Sequence, residues 1–323
     1  MKYHEDILGA IGNTPLVRLK KVANDVKQLV LAKVEFLNPG GSVKDRMAVY
    51  MVEEAVRKGL LRPGGTIVEN TSGNTGIGLA LYAAVKGYRA IFTIPDKMSR
   101  EKIALLEAFG AKVVVCPTAV PPDSAESYYE AAKRIAKETP NSYMVDQYHN
   151  QDNVEAHYRT TGPEIWEQTE GKIDCLVAGV GTGGTISGAG KYLREKKPGV
   201  RIIGVDPIGS VYHDWFKYRK LIESKIYMVE GIGEDMLCET LDFDLMDDVI
   251  QVNDRDSFLM ARRLVKEEGI LAGGSGGSAV WAALKACGNF SEGQVVVVIL
   301  PDSGRNYMSK IFDDEWMRAK GFI

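Results

Sequence analysis

The sequence predicts an α/β protein whose mainly parallel sheets are flanked by helices. Apolar segments rich in Val and Ile alternate with helical patterns along the 323 residues, and glycine-rich turns join several of them. Near-continuous apolar strands are typical of parallel strands that are covered on both faces. The length corresponds to about two lobes, and 45% hydrophobic residues supply enough apolar surface for a sizeable core.

The individual elements follow from two periodicities. Short Val- and Ile-rich runs indicate strands, and apolar residues that recur every three to four positions indicate helices. The predicted strands are 29–34, 66–69, 89–94, 112–116, 173–180, 201–205, 249–252 and 294–300. The predicted helices are 44–58, 78–86, 99–109, 124–138, 153–168, 185–195, 255–267 and 278–286. A lobe boundary is predicted near 145–150, where a strand runs into a polar stretch.

Charge and hydropathy exclude two classes of partner. Forty Lys and Arg against 43 Asp and Glu leave a net charge of −3. No basic run is longer than the pairs at 20–21 and 196–197, so the sequence predicts no nucleic-acid partner. The longest strongly apolar run, Val295–Leu300, is far shorter than the ~20 residues of a spanning helix, so no membrane association is expected.

The amino terminus and the cysteines indicate a cytoplasmic protein. Residues 1–6 have neither the basic start nor the apolar core of a signal peptide. The cysteines are widely spaced and are predicted to be buried, reduced thiols. Four histidines without a paired spacing predict no metal site. The four cysteines are Cys116, Cys175, Cys238 and Cys287.

Glycine-rich loops are the features that point to chemistry. They lie at strand-to-helix junctions or helix starts, at 38–46, 71–76, 179–185 and 273–278. Backbone amides at a helix start have no partner within the helix, and the helix dipole makes them an anion site. A single loop of this kind is more often a turn that needs positive φ, but four in one chain favour a functional explanation.

The third loop also fits the dinucleotide fingerprint G-x-G-x-x-G at 179–184, with Asp206 after the next strand. Taken alone, this pattern favours an NAD-dependent dehydrogenase. That hypothesis leaves the first two loops unexplained. It also lacks an evident catalytic histidine, because His149 and His157 lie in settings that suit solvated side chains equally well.

A lysine in the first loop suggests different chemistry. Lys44 is placed at the first turn of a predicted helix, where the positive end of the dipole disfavours an ammonium group. A lysine that must form an imine benefits from such a setting, because its neutral amine is the nucleophile. An imine-forming lysine together with a glycine and threonine phosphate cradle is the minimum that pyridoxal 5′-phosphate (PLP) requires.

Four motifs stand in the order and spacing of one known family. They are Ile-Gly-Asn-Thr-Pro-Leu at 11–16, Gly-Ser-Val-Lys-Asp-Arg at 41–46, Thr-Ser-Gly-Asn-Thr-Gly at 71–76 and Gly-Thr-Gly-Gly-Thr at 181–185. With them the chain resembles, over essentially its whole length, the fold-type II PLP enzymes of the cysteine synthase and cystathionine β-synthase family. The resemblance implies a two-lobed fold like that of the tryptophan synthase β chain, and a PLP phosphate at 179–184 in place of NAD.

The resemblance also implies how the chain is organised. It implies one PLP-dependent catalytic unit over 1–323, with a smaller, movable lobe at about 44–148 and a larger lobe of about 1–43 plus 149–323. No haem segment before this unit and no regulatory domains after it are expected. Asn70 departs from the family, which usually has proline before the second loop, and this change is expected to alter the stiffness of that loop.

Within the family, the stretches 146–148, 229–235 and 301–308 and the ending 315–322 resemble the cystathionine β-synthase branch more than the cysteine synthase branch. The resemblance then implies β-replacement on serine, O-acetylserine or cysteine through an aminoacrylate. The thiol would be homocysteine and the product cystathionine, with hydrogen sulfide released from cysteine. Cysteine synthase activity, in which O-acetylserine and sulfide give cysteine, stays open as the alternative. The family also implies a homodimer.

The resemblance assigns roles to individual residues. Lys44 would hold PLP as an imine, then act as the base at Cα and the acid at the leaving group. Asn74 would bind the ring 3′-oxygen and Ser303 would face the pyridine nitrogen. The phosphate would be bound by Gly181, Thr182, Gly183, Gly184 and Thr185. The substrate, through its carboxylate, would be bound by Thr71, Ser72, Gly73, Thr75 and Gln147.

The contact between Ser303 and the pyridine nitrogen, which the resemblance implies, affects the type of reaction. A neutral hydroxyl leaves the pyridine nitrogen largely unprotonated, so β-elimination competes better with transamination than it would beside a carboxylate. Asp302 is a competitor for this role, but it is expected to be a turn carboxylate after Pro301. Glu234 and Asp235 are candidates for the amino group of the second substrate, with a solvated loop as the equal alternative.

Overall fold

The computed structural model describes residues 1, 3–71, 73–96, 100–117, 119–121 and 124–323, and the backbone alone at 101. The chain forms two compact units. The first unit comprises Met1–Ile11 and Asn38–Asn153, and the second comprises Gly12–Leu37 and Val154–Ile323. The lobe bounds and the lobe movement expected from the sequence stay predictions.

Strands and helices alternate along most of the chain. The strands are β1 (Leu16–Arg18), β2 (Leu29–Val34), β3 (Thr66–Asn70), β4 (Arg89–Pro95), β5 (Lys112–Cys116), β6 (Ser142–Met144), β7 (Ile173–Gly179), β8 (Arg201–Pro207), β9 (Asp248–Val252) and β10 (Val295–Leu300). The helices are α1 (Lys44–Arg57), α2 (Asn74–Lys86), α3 (Arg100–Ala108), α4 (Tyr128–Glu138), α5 (Asp152–Arg159), α6 (Thr161–Gln168), α7 (Gly184–Lys196), α8 (Tyr212–Tyr218), α9 (Asp254–Arg263), α10 (Gly274–Ala286) and α11 (Asp314–Ala319). Short 3-10 turns lie at Ile7–Ala10, Glu35–Leu37, Cys287–Asn289 and Gly304–Tyr307, and a π-helical turn at Leu264–Glu268 extends α9.

The first unit is built on a parallel sheet with the order β5-β4-β3-β6. Every residue of β3 is buried. Its neighbour β6 runs beside it in register from Thr66 with Ser142 to Val68 with Met144. Because the carboxyl ends of parallel neighbours meet at one edge, the segments that follow β3 and β6 are brought together there.

The second unit is built on a sheet with the order β1-β2-β10-β7-β8-β9, in which only the pair β1 and β2 is antiparallel among the pairings described. The central strand β10 is buried at every position. The carboxyl ends of β10, β7 and β8 therefore present three loops at one edge of this sheet.

A buried lysine fixes the amino-terminal part of the second unit. Lys33, on β2, is fully buried, and its Nζ donates to the Thr14 carbonyl at 2.6 Å and to Glu164 Oε2 at 2.8 Å. The Thr14 hydroxyl donates to Glu35 Oε1 at 2.6 Å. The segment that resembles the opening of the family is thus held by buried polar groups, which are costly to leave unpaired.

The predicted α/β class with mainly parallel sheets is confirmed. The four cysteines are free and buried, as predicted. Within the described ranges, no helix is long and apolar enough to cross a membrane.

Candidate active site

The local structure around Lys44 comes from two glycines and a buried carboxylate. Gly41 has a φ of +85°, in the left-handed region. The N–H of Gly40 donates to Asp45 Oδ2 at 2.5 Å, and a Cβ at Gly40 would lie 2.4 Å from Asp45 Oδ1. Lys44 is the first residue of α1, as the sequence predicts, and it is half-buried. The turn therefore requires glycine and fixes the lysine at the amino end of the helix.

The loop after β3 uses its own threonine to hold its backbone. The Thr71 hydroxyl oxygen accepts from the N–H groups of Gly73 at 3.2 Å and Gly76 at 3.3 Å. A Cβ at Gly76 would lie 2.7 Å from Thr71 Cγ2, so the tight turn requires glycine. The hydroxyl proton of Thr71 is not used by these two bonds, so it can be donated to a ligand.

Three further residues of the first unit gather at this edge of the sheet. The Thr75 hydroxyl donates to Gln147 Oε1 at 2.7 Å, and both side chains are buried. The Asn153 side-chain amide donates to the Gln147 carbonyl at 2.9 Å. With Thr75 bound to its oxygen, the Gln147 side chain acts as a donor through its N–H groups, and it also hydrogen-bonds the Glu69 carboxylate. The structure thus brings together Thr71, Gly73, Thr75 and Gln147, four of the predicted substrate-binding residues.

Glu69 lies behind this group, and the sequence analysis did not single it out. Its carboxylate accepts from the N–H of Asp146 at 2.7 Å and of Gln147 at 3.4 Å. The side chain is fully buried, and this burial raises the pKa of the Glu69 carboxyl group to about 8. Asp146 has a φ of +55°, unusual for a residue other than glycine. Glu69 therefore fixes a strained backbone turn that carries Gln147.

The other predictions for the first unit have different outcomes. Asn74 opens α2 and is half-buried, directly after Gly73. Ser72 lies outside the described residues. Asn70 belongs to β3, in register with Thr93, so the strand is one residue longer than predicted.

The loop after β7 leads into α7 through a left-handed glycine. Gly183, the N-cap of α7, has a φ of +92°, and a Cβ there would lie 2.5 Å from Leu241 Cβ. Within the part of the chain that the structure describes, the N–H groups of Gly181, Gly183 and Thr185 donate to no protein acceptor. The N–H of Gly184 has only a long contact of 3.5 Å with Thr182 Oγ1.

Side chains hold this loop from its carbonyl side. The fully buried Tyr212 donates its hydroxyl to the Gly181 carbonyl at 2.8 Å. The buried Thr240 donates its hydroxyl to the Thr182 carbonyl at 2.6 Å. Burial raises the pKa of the Tyr212 hydroxyl well above its ordinary value, so it stays protonated. Neither contact was expected from the sequence.

His157 packs against the loop after β7. The sequence suited a solvated side chain and a general base equally well, and the structure shows that His157 is fully buried. Its Nδ1 lies 2.8 Å from Thr161 Oγ1, and its Nε2 lies 3.2 Å from Thr185 Oγ1. The residue is buried because α5 and α7 pack closely: a Cβ at Gly188 would lie 2.8 Å from His157 Cβ. His157 therefore contacts the loop side chain Thr185 from inside the unit.

Asp206 is not placed as a ribose-binding group. It is fully buried, and its Oδ2 accepts from the N–H of His213 at 2.9 Å. Burial raises the pKa of this carboxyl group to about 7. A carboxylate that binds a ribose hydroxyl must reach the ligand, so the second half of the dinucleotide fingerprint is not met.

Ser303 follows β10 and caps a short 3-10 turn. Its hydroxyl oxygen accepts from the N–H of Arg305 at 3.2 Å, which leaves the proton available. The fourth glycine loop packs against the same segment: Gly273 N–H donates to the Asp302 carbonyl at 3.0 Å, and a Cβ at Gly273 would lie 2.2 Å from Asp302 Oδ1. Asp302 is buried and accepts from the Tyr307 hydroxyl at 2.7 Å. The carboxylate that follows Pro301 is therefore buried and paired with a tyrosine hydroxyl.

Ser275 is a second hydroxyl at this edge of the sheet. It lies in the first turn of α10, within the fourth glycine loop, and it is 1% exposed. An isolated bridge between Ala272 and Ser303 places the start of α10 beside Ser303. The Ser275 hydroxyl is therefore a second candidate donor to a bound group.

The loop at 181–185 fits a phosphate group. Its unpartnered N–H groups are donors at the positive end of a helix dipole, which is the arrangement that binds anions. A side chain at Gly183 would collide with Leu241, so at this position the loop consists of backbone atoms only. These properties match the phosphate of PLP, which is a dianion near neutral pH and needs several donors.

Comparison with known proteins agrees with this geometry. Residues 7–302 match the family model described as pyridoxal-phosphate dependent enzyme. The chain is 53% identical over 320 residues to cystathionine beta-synthase of Mus musculus, covering 98% of this chain and 57% of that protein. It is 47% identical to cystathionine beta-synthase of Saccharomyces cerevisiae, covering 97% of this chain and 64% of that protein.

A cysteine synthase is also similar. Cysteine synthase 1 of Neurospora crassa is 42% identical over 322 residues, covering 98% of this chain and 85% of that protein. The chain spans only 57 to 64% of the length of the two cystathionine beta-synthases. The family match covers most of the chain, so the predicted resemblance and the predicted cofactor are confirmed: this chain belongs to the pyridoxal-phosphate dependent enzymes.

Proposed function

We propose that the chain catalyses a β-replacement on an amino acid, exchanging the hydroxyl group of serine for the thiol of homocysteine to give cystathionine. The observation that carries this choice is the similarity to cystathionine beta-synthases. Their identity of 47 to 53% extends over nearly the whole chain and exceeds the 42% identity to the cysteine synthase. Hydrogen sulfide release is expected when cysteine replaces serine.

The substrate carboxylate is assigned to the first unit. We assign to it the Thr71 hydroxyl proton and the side-chain N–H of Gln147 that does not bond to Glu69. Thr75 orients Gln147 by donating to its Oε1. Gly73 keeps the backbone close to the substrate, and Ser72 is assigned to the same role from the sequence.

Lys44 is assigned the covalent bond to the cofactor and the proton transfers. When bound, PLP withdraws electrons from the substrate Cα, so that the Cα proton becomes acidic and the β-substituent can leave. The neutral Lys44 amine takes the Cα proton as general base, and the resulting ammonium donates it to the departing oxygen. Its place at the amino end of α1 favours the neutral amine before the reaction.

The remaining contacts to the cofactor are divided among three elements. The loop at 181–185 donates its N–H groups to the phosphate, assisted by the hydroxyls of Thr182 and Thr185. Asn74 is assigned to the ring 3′-oxygen. A serine hydroxyl donates to the pyridine nitrogen, with Ser303 as the residue predicted from the sequence and Ser275 as the second candidate.

An acceptor competition tests the proposal. The enzyme is supplied with serine or O-acetylserine, and homocysteine or sulfide is added under matched conditions. We expect cystathionine formation with a clearly higher kcat/KM for homocysteine than for sulfide. Efficient use of sulfide with no reaction of homocysteine would show the proposal to be wrong.

Cysteine synthase activity is the second candidate, because the Neurospora crassa relative shares nearly the whole of this chain at 42% identity. In the same assay it predicts cysteine as the product of O-acetylserine and sulfide.

Glu234, half-buried, and Asp235, exposed, are the proposed contacts to the homocysteine amino group. Their replacement by Gln and Asn should raise the KM for homocysteine alone.

The proposed setting is a homodimer in the cytoplasm. The dimer is supported by the resemblance to the family. The cytoplasmic location is supported by four cysteines that are free and buried, as expected where thiols stay reduced. Sedimentation of the holoenzyme at several concentrations would test the dimer.

A further inference from the structure

We infer that Tyr212 and Thr240 are positioning residues for the phosphate loop, which hold its amides in the orientation that binds the cofactor phosphate. This inference rests on the proposed function of the loop at 181–185. Each side chain donates to a backbone carbonyl of the loop, and this bond is the contact through which it acts on the amides.

The geometry of the peptide bond carries the first step. In a trans peptide, the carbonyl of one residue and the N–H of the next point in opposite directions. Tyr212 binds the Gly181 carbonyl at 2.8 Å, so the N–H of Thr182 points away from Tyr212. Thr240 binds the Thr182 carbonyl at 2.6 Å, so the N–H of Gly183 points away from Thr240.

The second step concerns the conformational freedom of the loop. Gly181 and Gly183 allow many backbone conformations, and fixing such residues has a large entropic cost. The two hydroxyls fix two successive peptide planes before any ligand binds. The loop therefore loses less entropy on binding the phosphate, which increases affinity without a direct contact.

Packing on the same side supports the two hydroxyls. A Cβ at Gly181 would lie 2.8 Å from the Gly231 carbonyl oxygen. The N–H of Gly233 donates to the Val180 carbonyl at 2.7 Å. Cys238 Sγ lies 2.9 Å from the Tyr212 hydroxyl. The segment around 231–241 and α8 thus cover the carbonyl side of the loop, and the amide side is left for a ligand.

The test compares Tyr212→Phe and Thr240→Val with matched controls in the holoenzyme of this 323-residue chain. Tyr218→Phe removes the hydroxyl of a tyrosine in the same helix that is 70% exposed. Thr169→Val removes a buried hydroxyl that donates to the Ile165 carbonyl, away from the loop. Each protein is loaded with PLP or with pyridoxal, which has the same ring and aldehyde but no phosphate. Cofactor retention is measured on dilution, and phosphorus NMR of the PLP holoenzyme reports on the phosphate.

We expect each loop variant to retain PLP about three- to tenfold less well, as for the loss of one buried hydrogen bond, and to retain pyridoxal as the wild type does. The phosphorus resonance should move in both variants and in neither control. Thr240→Ser, which restores a hydroxyl, should recover most of the retention. Equal losses for PLP and pyridoxal, or unchanged PLP retention, would overturn the inference.

Gly183→Ala separates this inference from the proposed function of the loop. If this variant retains PLP normally, the loop does not bind the phosphate and both proposals fail. If it loses PLP while Tyr212→Phe and Thr240→Val do not, the loop binds the phosphate and the positioning role alone is wrong. Should Tyr212→Phe fail to fold, Thr240→Val and its serine counterpart decide the outcome.

Discussion

Two glycine-rich loops of this chain have the same local architecture, but their backbone amides are used differently. The loop at 71–76 follows β3 and leads into α2, and the loop at 179–184 follows β7 and leads into α7. In the first, the Thr71 hydroxyl occupies the amides of Gly73 and Gly76. In the second, the amides of Gly181 and Gly183 have no protein acceptor among the described residues.

The difference suits the two proposed ligands. A substrate carboxylate must enter and leave in each cycle, and side-chain donors such as Gln147 can change partner as it does so. A cofactor phosphate stays bound, and a rigid cradle of backbone amides suits a permanent anion. Under the proposed function, the same turn would therefore serve turnover in the first unit and retention in the second, according to whether its amides are used within the loop.

The largest effect is expected when the amine of Lys44 is removed. Lys44→Ala should reduce kcat by at least about a thousandfold, because one group supplies both proton transfers and the covalent bond. It should abolish the visible absorbance of the covalently bound cofactor. PLP should still bind non-covalently through the second loop, as measured by phosphorus NMR. Near wild-type turnover would rule out the assignment of Lys44.

Replacing the left-handed Gly183 should weaken the retention of PLP and leave the chemical step largely unchanged. Gly183→Ala places a Cβ 2.5 Å from Leu241 Cβ at a φ of +92°. The strain of about 1–2 kcal/mol from the backbone alone, plus the collision, should weaken PLP retention at least about tenfold. Saturating PLP should restore much of kcat. Gly269→Ala is the control, because that glycine is left-handed with open space around it.

The side-chain donors of the first loop should affect the substrate alone. Gln147→Leu removes donors to the carboxylate and should raise the KM for serine by about ten- to a hundredfold, the effect of an unmet charged hydrogen bond. PLP retention should not change. Gln168→Leu serves as a control, because this side chain donates to the Thr14 carbonyl in the second unit. A joint loss of PLP and serine binding would contradict the division between the loops.

Variants of Ser303 and Ser275 test which serine hydroxyl contacts the pyridine nitrogen of the cofactor. Ser303→Ala and Ser275→Ala each remove one hydroxyl, and loss of the contact to the nitrogen should reduce kcat by about tenfold. Only the residue that faces the nitrogen should also shift the absorbance of the bound cofactor. Ser303→Asp should further raise transamination, measured as ketoacid, if the sequence-based assignment is correct. If the Ser303 variants change neither the absorbance nor the ketoacid yield, and Ser275→Ala shifts the absorbance, the contact to the pyridine nitrogen belongs to Ser275.

Long periodic segments and glycine motifs were predictable from the sequence. The bounds of β2 and β5 are those predicted, and α1 begins at Lys44. The three-residue strands β1 and β6 were missed because they are too short to show a period. The helix predicted over 153–168 is two helices, since Pro163 lacks an N–H and is accommodated in the first turn of α6.

The support behind the loop at 179–184 was not predictable, for a physical reason. Tyr212 and Thr240 are distant from the loop in sequence, and their roles depend on contacts that no local pattern encodes. The start of α2 at Asn74 was placed four residues late because glycines in a helix resemble a loop. Glu69 had a usable signal: a charged residue next to Ile67 and Val68 in a fully buried strand requires hydrogen-bond partners.

The smallest effect expected is a difference in the response to pH between the residues that support the two loops. These residues are Glu69 in the first unit, and Tyr212 and Thr240 in the second. Tyr212 and Thr240 stay neutral, whereas burial raises the pKa of Glu69 from its ordinary 4.5 to about 8. Between these values the unfolded chain has released the Glu69 proton and the folded chain keeps it. The resulting contribution to stability is therefore complete at low pH and is lost as the pH rises towards the folded value, by up to about 1.4 kcal/mol per pH unit.

Glu69→Gln, which cannot ionise, isolates this contribution. Its unfolding midpoint relative to wild type should rise steadily between about pH 5 and pH 8, because the wild type alone loses stability there. Glu107→Gln, at an exposed position of the same unit, should follow the wild type at every pH. Since Glu69 accepts from the amides of Asp146 and Gln147, the variant should also raise the KM for serine by a few-fold and leave PLP retention unchanged. Parallel profiles for wild type and Glu69→Gln would show that the carboxylate is ionised throughout, and that its two amide bonds outweigh its burial.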